Sequence, residues 1–90
     1  MKAVHGFVSG TVQGVGFRYS TVHAAQSCNV KGWVRNTMDG RVEVFIQGDP
    51  DGVSRMVTWL KQGPPMSRVD SFQYGFTAVQ PSLRSFRITY

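Results

Sequence analysis

Midway along the chain the apolar residues change period. Val42, Val44 and Ile46 alternate, which puts three branched side chains on one face of an extended strand. After Asp49 and Pro50, Val53, Met56, Val57 and Leu60 follow at i, i+3, i+4, i+7, the stripe of an amphipathic helix. A strand with one apolar face, followed at once by a helix with one apolar stripe, cannot stand alone: each must be covered by elements like the other. Asp49 is placed to cap the helix by accepting from its free backbone N–H groups, Pro50 suits the first turn, and Gly63, Pro64 and Pro65 stop it.

The same signals divide the rest of the chain. Ala3 to Val12 reads as a strand with Val4, Val8 and Val12 on one face and Phe7 on the other. The glycine-bearing loop Gln13 to Gly16 leads into a helix whose stripe is Phe17, Thr21, Ala24, Ala25 and Cys28, ending near Asn29. Gly32 to Asn36 and Arg41 to Gln47 form a hairpin across Asp39 and Gly40. Val69 to Phe76 and then Phe86, Ile88 and Tyr90 are extended, around a polar connection that includes Pro81. The order β, α, β, β, α, β with a short terminal strand predicts an α+β, ferredoxin-like sandwich. Both helices cover one face of an antiparallel sheet of four to five strands, as one domain over residues 1–90. So many functions use this plan that only the site can choose among them.

Composition narrows the choice. Ninety residues, 41% of them hydrophobic, suffice for one core and not for a second lobe. His5, Gly6 and Ser9 interrupt the first ten residues, so no leader pattern forms, and no run approaches the roughly 18 apolar residues of a membrane helix. A single cysteine, Cys28, makes neither an intrachain disulfide nor a cysteine metal cage, and a cytoplasmic setting is expected. The net charge of +5 suits an anionic partner, and its distribution says where: all five acids lie after residue 38. A site built on the N-terminal stretch, which holds Lys2, Arg18, Lys31 and Arg35, is cationic.

The strand that runs through Gly10, Gln13, Gly14, Val15 and Gly16 into a helix opened by Phe17 and Arg18 offers unpaired N–H groups where an anion binds well. Glycines at 14 and 16 permit positive φ and close approach, and Arg18 adds a planar fork of donors matched to phosphate oxygens. No lysine followed by Ser or Thr makes this a nucleotide loop, and Tyr19 stands in place of a third glycine. On the residues alone, a tight turn beside a solvated arginine stays an open alternative.

The segment GTVQGVGFR, Gly10 to Arg18, resembles the first signature of the acylphosphatase family, and GWVRNTMDGRVEVFIQG, Gly32 to Gly48, resembles the second. The two lie at family spacing, and the resemblance extends over essentially the whole chain. It implies a ferredoxin-like sandwich in which the loop amides of Gln13, Gly14, Val15, Gly16 and Phe17, with Arg18, hold the substrate phosphate while Asn36 positions the attacking water. The implied substrates are small acyl phosphates, with inorganic phosphate as product and inhibitor. The expectation is an enzyme that uses no metal or other cofactor and acts as a monomer.

The residues agree with that chemistry. There is no carboxylate near the loop, no Ser-His-Asp arrangement and no multi-histidine motif, but an acyl phosphate expels a carboxylate of pKa about 4 and needs no general acid. Other candidates are assigned packing or surface roles: His5, His23, Cys28 and the aromatic residues Trp33, Phe45 and Tyr74, with Arg35 solvated. An RNA-binding module on this plan is the rival from another class, although RVEVFIQG lacks stacking rings where they belong. A silent phosphate-binding domain, of the kind built into larger maturation enzymes, is the second. A chain of this length favours the free-standing enzyme.

Overall fold

Each run with a period of two becomes a strand and each run with a period near 3.6 a helix, close to the expected bounds. In the computed structural model, which describes residues 1–90, the strands are β1 (Lys2–Thr11), β2 (Lys31–Asn36), β3 (Val42–Gly48), β4 (Arg68–Thr77) and β5 (Phe86–Ile88). The helices are α1 (Phe17–Ser27) and α2 (Pro50–Gln62). All five strands form one sheet in the order β4-β1-β3-β2-β5. Helix α1 packs on β2 and β5, and α2 on β1, β3 and β4. The core between the layers is made by Val4, Val8, Val34, Val42, Val44, Ile46, Val53, Met56 and Leu60, none more than 2% exposed. Removing one of these, as in Leu60→Ala, costs about 2–5 kcal/mol by loss of burial and the cavity left behind.

The structure corrects three expectations. The sheet is mixed: β1, β2, β3 and β4 pair antiparallel, but β5 joins β2 in parallel. Residues 78–85 carry the chain from one edge of the sheet to the other, pinned midway by Gln47. The Gln80 N–H donates to the Gln47 side-chain oxygen (2.7 Å), and the Gln47 amide donates to the Gln80 carbonyl (2.9 Å). Strand β5 therefore starts at the end where β4 stopped and must run the way β2 does. Second, β3 is buried along its whole length and not on one face only. It is the central strand, with Val42, Val44 and Ile46 under the helices and Glu43, Phe45 and Gln47 covered on the opposite, helix-free face. Third, Asp49 takes the N-cap position of α2 in an extended conformation but makes no side-chain capping bond. Its carbonyl accepts from the Val53 N–H (3.0 Å), and the exposed carboxylate interacts with the helix dipole only.

Candidate active site

The loop between β1 and α1 is held at both ends by its own apolar residues. Val12 is 1% exposed and Phe17 is 2% exposed. The Phe17 ring lies 5.8 Å from that of Trp59 on α2. The backbone between these anchors has no partner of its own. None of the N–H groups of Gln13, Gly14, Val15 or Gly16 donates within the protein, and Phe17, at the first position of α1, has no carbonyl a turn back to bond. Gly14 and Gly16 lie in the left-handed region at φ 75° and 76°, a conformation that costs other residues about 1–2 kcal/mol. A Cβ built on either would meet nothing within 4 Å. The glycines are therefore needed for the backbone conformation of the turn and not for close packing against a neighbour. Phe17 supplies its side chain to the core and its N–H to the loop.

Gln13 does something its position in the sequence does not announce. Its side-chain amide donates to the carbonyls of Thr37 (2.8 Å) and Arg41 (2.8 Å). The side chain is thereby occupied in fastening the loop to the turn between β2 and β3, and only its backbone N–H is left for an anion. Asn36 is the residue just before that turn. It ends β2 opposite Val42, which in turn stands opposite Val8 of β1, and it shares the helix-covered face with Val34. Its Oδ1 is buried and has no hydrogen-bond partner. An unpaired buried acceptor costs about 1–3 kcal/mol, a cost that a bound donor such as water removes.

Arg18, half-buried in the first turn of α1, takes part in no ion pair. Its guanidinium lies 5.5 Å from the centre of the Tyr90 ring. Tyr90 follows β5, whose Ile88 pairs with Val34 of β2, so the parallel register brings it to the Asn36 end of the sheet. Loop, Arg18 and Asn36 thus meet at one end. The adjacent turn has one acid, Asp39. The Thr37 hydroxyl, with help from the Arg41 side chain and N–H, holds its carboxyl below the usual carboxylate range despite the opposing effect of desolvation. Its charge is satisfied by Thr37 and by Arg41 Nε at 2.9 Å, which leaves the loop donors and Arg18 without an acidic competitor.

On the helix-free face the sequence expectations need correction. Arg35 is not simply solvated: its Nε donates to Glu43 Oε1 at 2.6 Å, and the other carboxylate oxygen lies 2.6 Å from His5 Nε2. Burial pushes the Glu43 carboxyl up, but the hydrogen bonds and charges of His5 and Arg35 outweigh it and hold it below its ordinary value. Trp33 and Phe45 stack at 6.2 Å, yet Phe45 is 2% exposed, and Tyr74 pairs with Gly6 on the other face. These rings do not form one stacking platform. Cys28 closes α1 half-buried, and His23 is exposed. Sequence reasoning missed Thr37, Arg41 and Tyr90; only the turn signal at Asp39 and Gly40 hinted at the first two.

The larger surface hollows lie elsewhere, about 520 Å³ beside Cys28 and Arg55 and about 550 Å³ along Met1 and Phe76. Neither is lined by the loop between β1 and α1, whose N–H groups have no backbone partner.

Residues 4–88 match the family model described as acylphosphatase. An acylphosphatase of Trichormus variabilis is 47% identical over 85 residues, covering 94% of this chain and 83% of that one. The crystal structure of acylphosphatase from Bacillus subtilis superposes with a TM-score of 0.94 at 34% identity, covering both chains entirely. Full-length HypF in its phosphate- and nucleotide-bound form contains a similar unit: TM-score 0.86, 26% identity, covering 99% of this chain and 12% of that one.

Proposed function

The chain belongs to the acylphosphatase family and hydrolyses acyl phosphates, and from that premise we propose how its own residues do so. The amides of Gln13, Gly14, Val15, Gly16 and Phe17 and the fork of Arg18 hold the phosphoryl oxygens, and Asn36 aims the water. The observation that carries this reading is the contrast at one end of the sheet: the loop amides, Arg18 and Asn36 Oδ1 have no hydrogen-bond or ion-pair partner, while the acid of the neighbouring turn, Asp39, is held by Thr37 and Arg41.

The chemistry follows from what these groups offer. Asn36 Oδ1 accepts one hydrogen of the water, which fixes a lone pair toward phosphorus without placing a negative charge beside an anionic substrate. As the water oxygen bonds to phosphorus, the bond from phosphorus to the acyl oxygen breaks and the carboxylate leaves with the electron pair. The water proton passes to a phosphate oxygen. The amides and Arg18 neutralise charge on the equatorial oxygens throughout, so the step is positioning plus electrostatic stabilisation. Nothing in it calls for a metal, a cofactor or a covalent enzyme intermediate.

Residues 1–90 act in this reading as one domain and as a monomer on small acyl phosphates, with inorganic phosphate as product and competitive inhibitor. Nucleic acid is not a partner, since the aromatic residues share no platform. A free thiol at Cys28 suits the cytoplasm. The test is hydrolysis of benzoyl phosphate in excess EDTA by the parent and by Asn36→Ala. Rapid turnover by the parent with a large loss of kcat in the variant is the expected result. A folded parent that binds phosphate and turns nothing over would make this a silent phosphate-binding domain.

A further inference from the structure

On the helix-free face, at the edge away from β4, lies a second set of unpartnered donors. Gly32 and Trp33 of β2, residues 82–85 of the crossing segment, Arg87 of β5 and Thr89 enclose a cavity of about 260 Å³. Trp33 and Arg87 are direct cross-strand neighbours, and both stand on the face opposite Asn36. The cavity is therefore separate from the loop that holds the substrate phosphate.

Its chemistry is one-sided. Two arginines, Arg84 and Arg87, line it without an acidic partner, and no Asp or Glu is among its walls. Arg87 Nε is steadied by Ser85 Oγ at 3.3 Å. The backbone N–H groups of Ser82, Arg84 and Ser85 donate to nothing in the protein. The half-buried Trp33 stacks on the buried Phe45 at 6.2 Å with the planes 14° apart, so its ring is held rigidly, and its indole N–H has no protein acceptor. Half-buried Leu83 adds an apolar contact. Two like charges held at one cavity repel until an anion joins them. A fixed indole beside them offers a flat surface for a ring, where contact excludes water from the charged end.

We propose that this cavity binds a small planar anion, with an aromatic or similarly flat body against Trp33 and its carboxylate or phosphate between Arg84 and Arg87. The volume admits a single ring with one anionic group and not a polymer segment. The expected Kd is on the order of 1 mM, the scale that a ligand of so few atoms reaches. The inference does not rest on the roles given to Arg18 and Asn36.

The test is a ¹H–¹⁵N NMR titration of the whole chain with benzoate, phenyl phosphate and inorganic phosphate at constant ionic strength. It is repeated on Arg18→Gln, which disables the loop site, and on Arg84→Gln/Arg87→Gln, whose side chains are exposed and outside the core. A ring-bearing anion should shift the Trp33 indole N–H and the amides of residues 82–89 saturably, in the parent and in Arg18→Gln alike. The shifts should vanish in the double variant, and the Trp59 indole should stay still. Saturation by benzoate identifies a carboxylate ligand; saturation by phenyl phosphate alone identifies a phosphate ester; either supports the site. Resonances that do not move, that move equally in the double variant, or that respond as much to inorganic phosphate or chloride would overturn it.

Discussion

Arg18 and Arg35 belong to the same end of one sheet and have opposite fates. Arg18, on the helix side, has an aromatic neighbour and no carboxylate. Arg35, one residue before Asn36 but on the helix-free face, is bound to Glu43 together with His5. Two arginines with the same intrinsic chemistry thus end as one without an acidic partner and one in an ion pair, and the proposed substrate role falls to the first. What differs is whether the fold sets an acid beside the guanidinium. The register sets Arg35 directly across from Glu43, whereas the residues around Arg18 contain none. A charge that the fold leaves unneutralised is available for an anion, and one that the fold neutralises is not.

The sharpest test of that contrast exchanges each arginine for lysine. Arg18→Lys should lower kcat/KM about 10²–10³-fold, because a point charge cannot replace a planar fork at a developing oxyanion. Arg35→Lys should leave turnover of benzoyl phosphate unchanged; equal losses would erase the distinction. Asn36→Ala comes next, with kcat down about 10²-fold while competitive inhibition by phosphate persists. If that inhibition disappears as well, Asn36 holds phosphate and not water.

Glu43→Gln addresses the other region. It removes the charge that pairs with Arg35 and the oxygen that meets His5, and should lower unfolding stability by about 1–2 kcal/mol in urea, with kcat unaltered. That figure is well below the roughly 3–5 kcal/mol of a fully buried pair because His5 and Arg35 are 38% and 44% exposed. Gln13→Ala frees two carbonyls and loosens the loop, for about 1 kcal/mol of stability and a KM raised a few-fold. Unchanged KM would mean that the loop holds its shape without the hairpin. The smallest effect is on pH. Glu43 has a folded-state pKa below its ordinary value of 4.5, so the unfolded chain binds the proton more readily. The stabilisation is complete above about 4.5 and is lost as the pH falls through the lower folded value. Urea midpoints measured from pH 6 to 3 should therefore fall less steeply in Glu43→Gln than in the parent.

Much was legible in the sequence because it was local. Period two in Val42, Val44 and Ile46, period 3.6 in Val53 to Leu60, and the breakers at Gly63 to Pro65 each depend on neighbours within a turn or two. Backbone sterics and side-chain spacing alone therefore fix element type and order. The glycine loop and Arg18 were legible for the same reason, as was the absence of acids around them. Tertiary structure alone could decide the rest, because it depends on which strand edges meet. The parallel entry of β5 follows from the path of residues 78–85 across the sheet. That register carries Tyr90 to Arg18, and the sheet order brings Gln13 to the carbonyls of Thr37 and Arg41. The meeting of Arg35 and His5 on the one carboxylate of Glu43 likewise needs three strands side by side. Apart from Arg35–Glu43, eight positions apart in the hairpin, these contacts join residues 24 to 72 positions apart and have no periodicity to announce them: their energy is gained only after the chain has closed those loops and the sheet has chosen its edges.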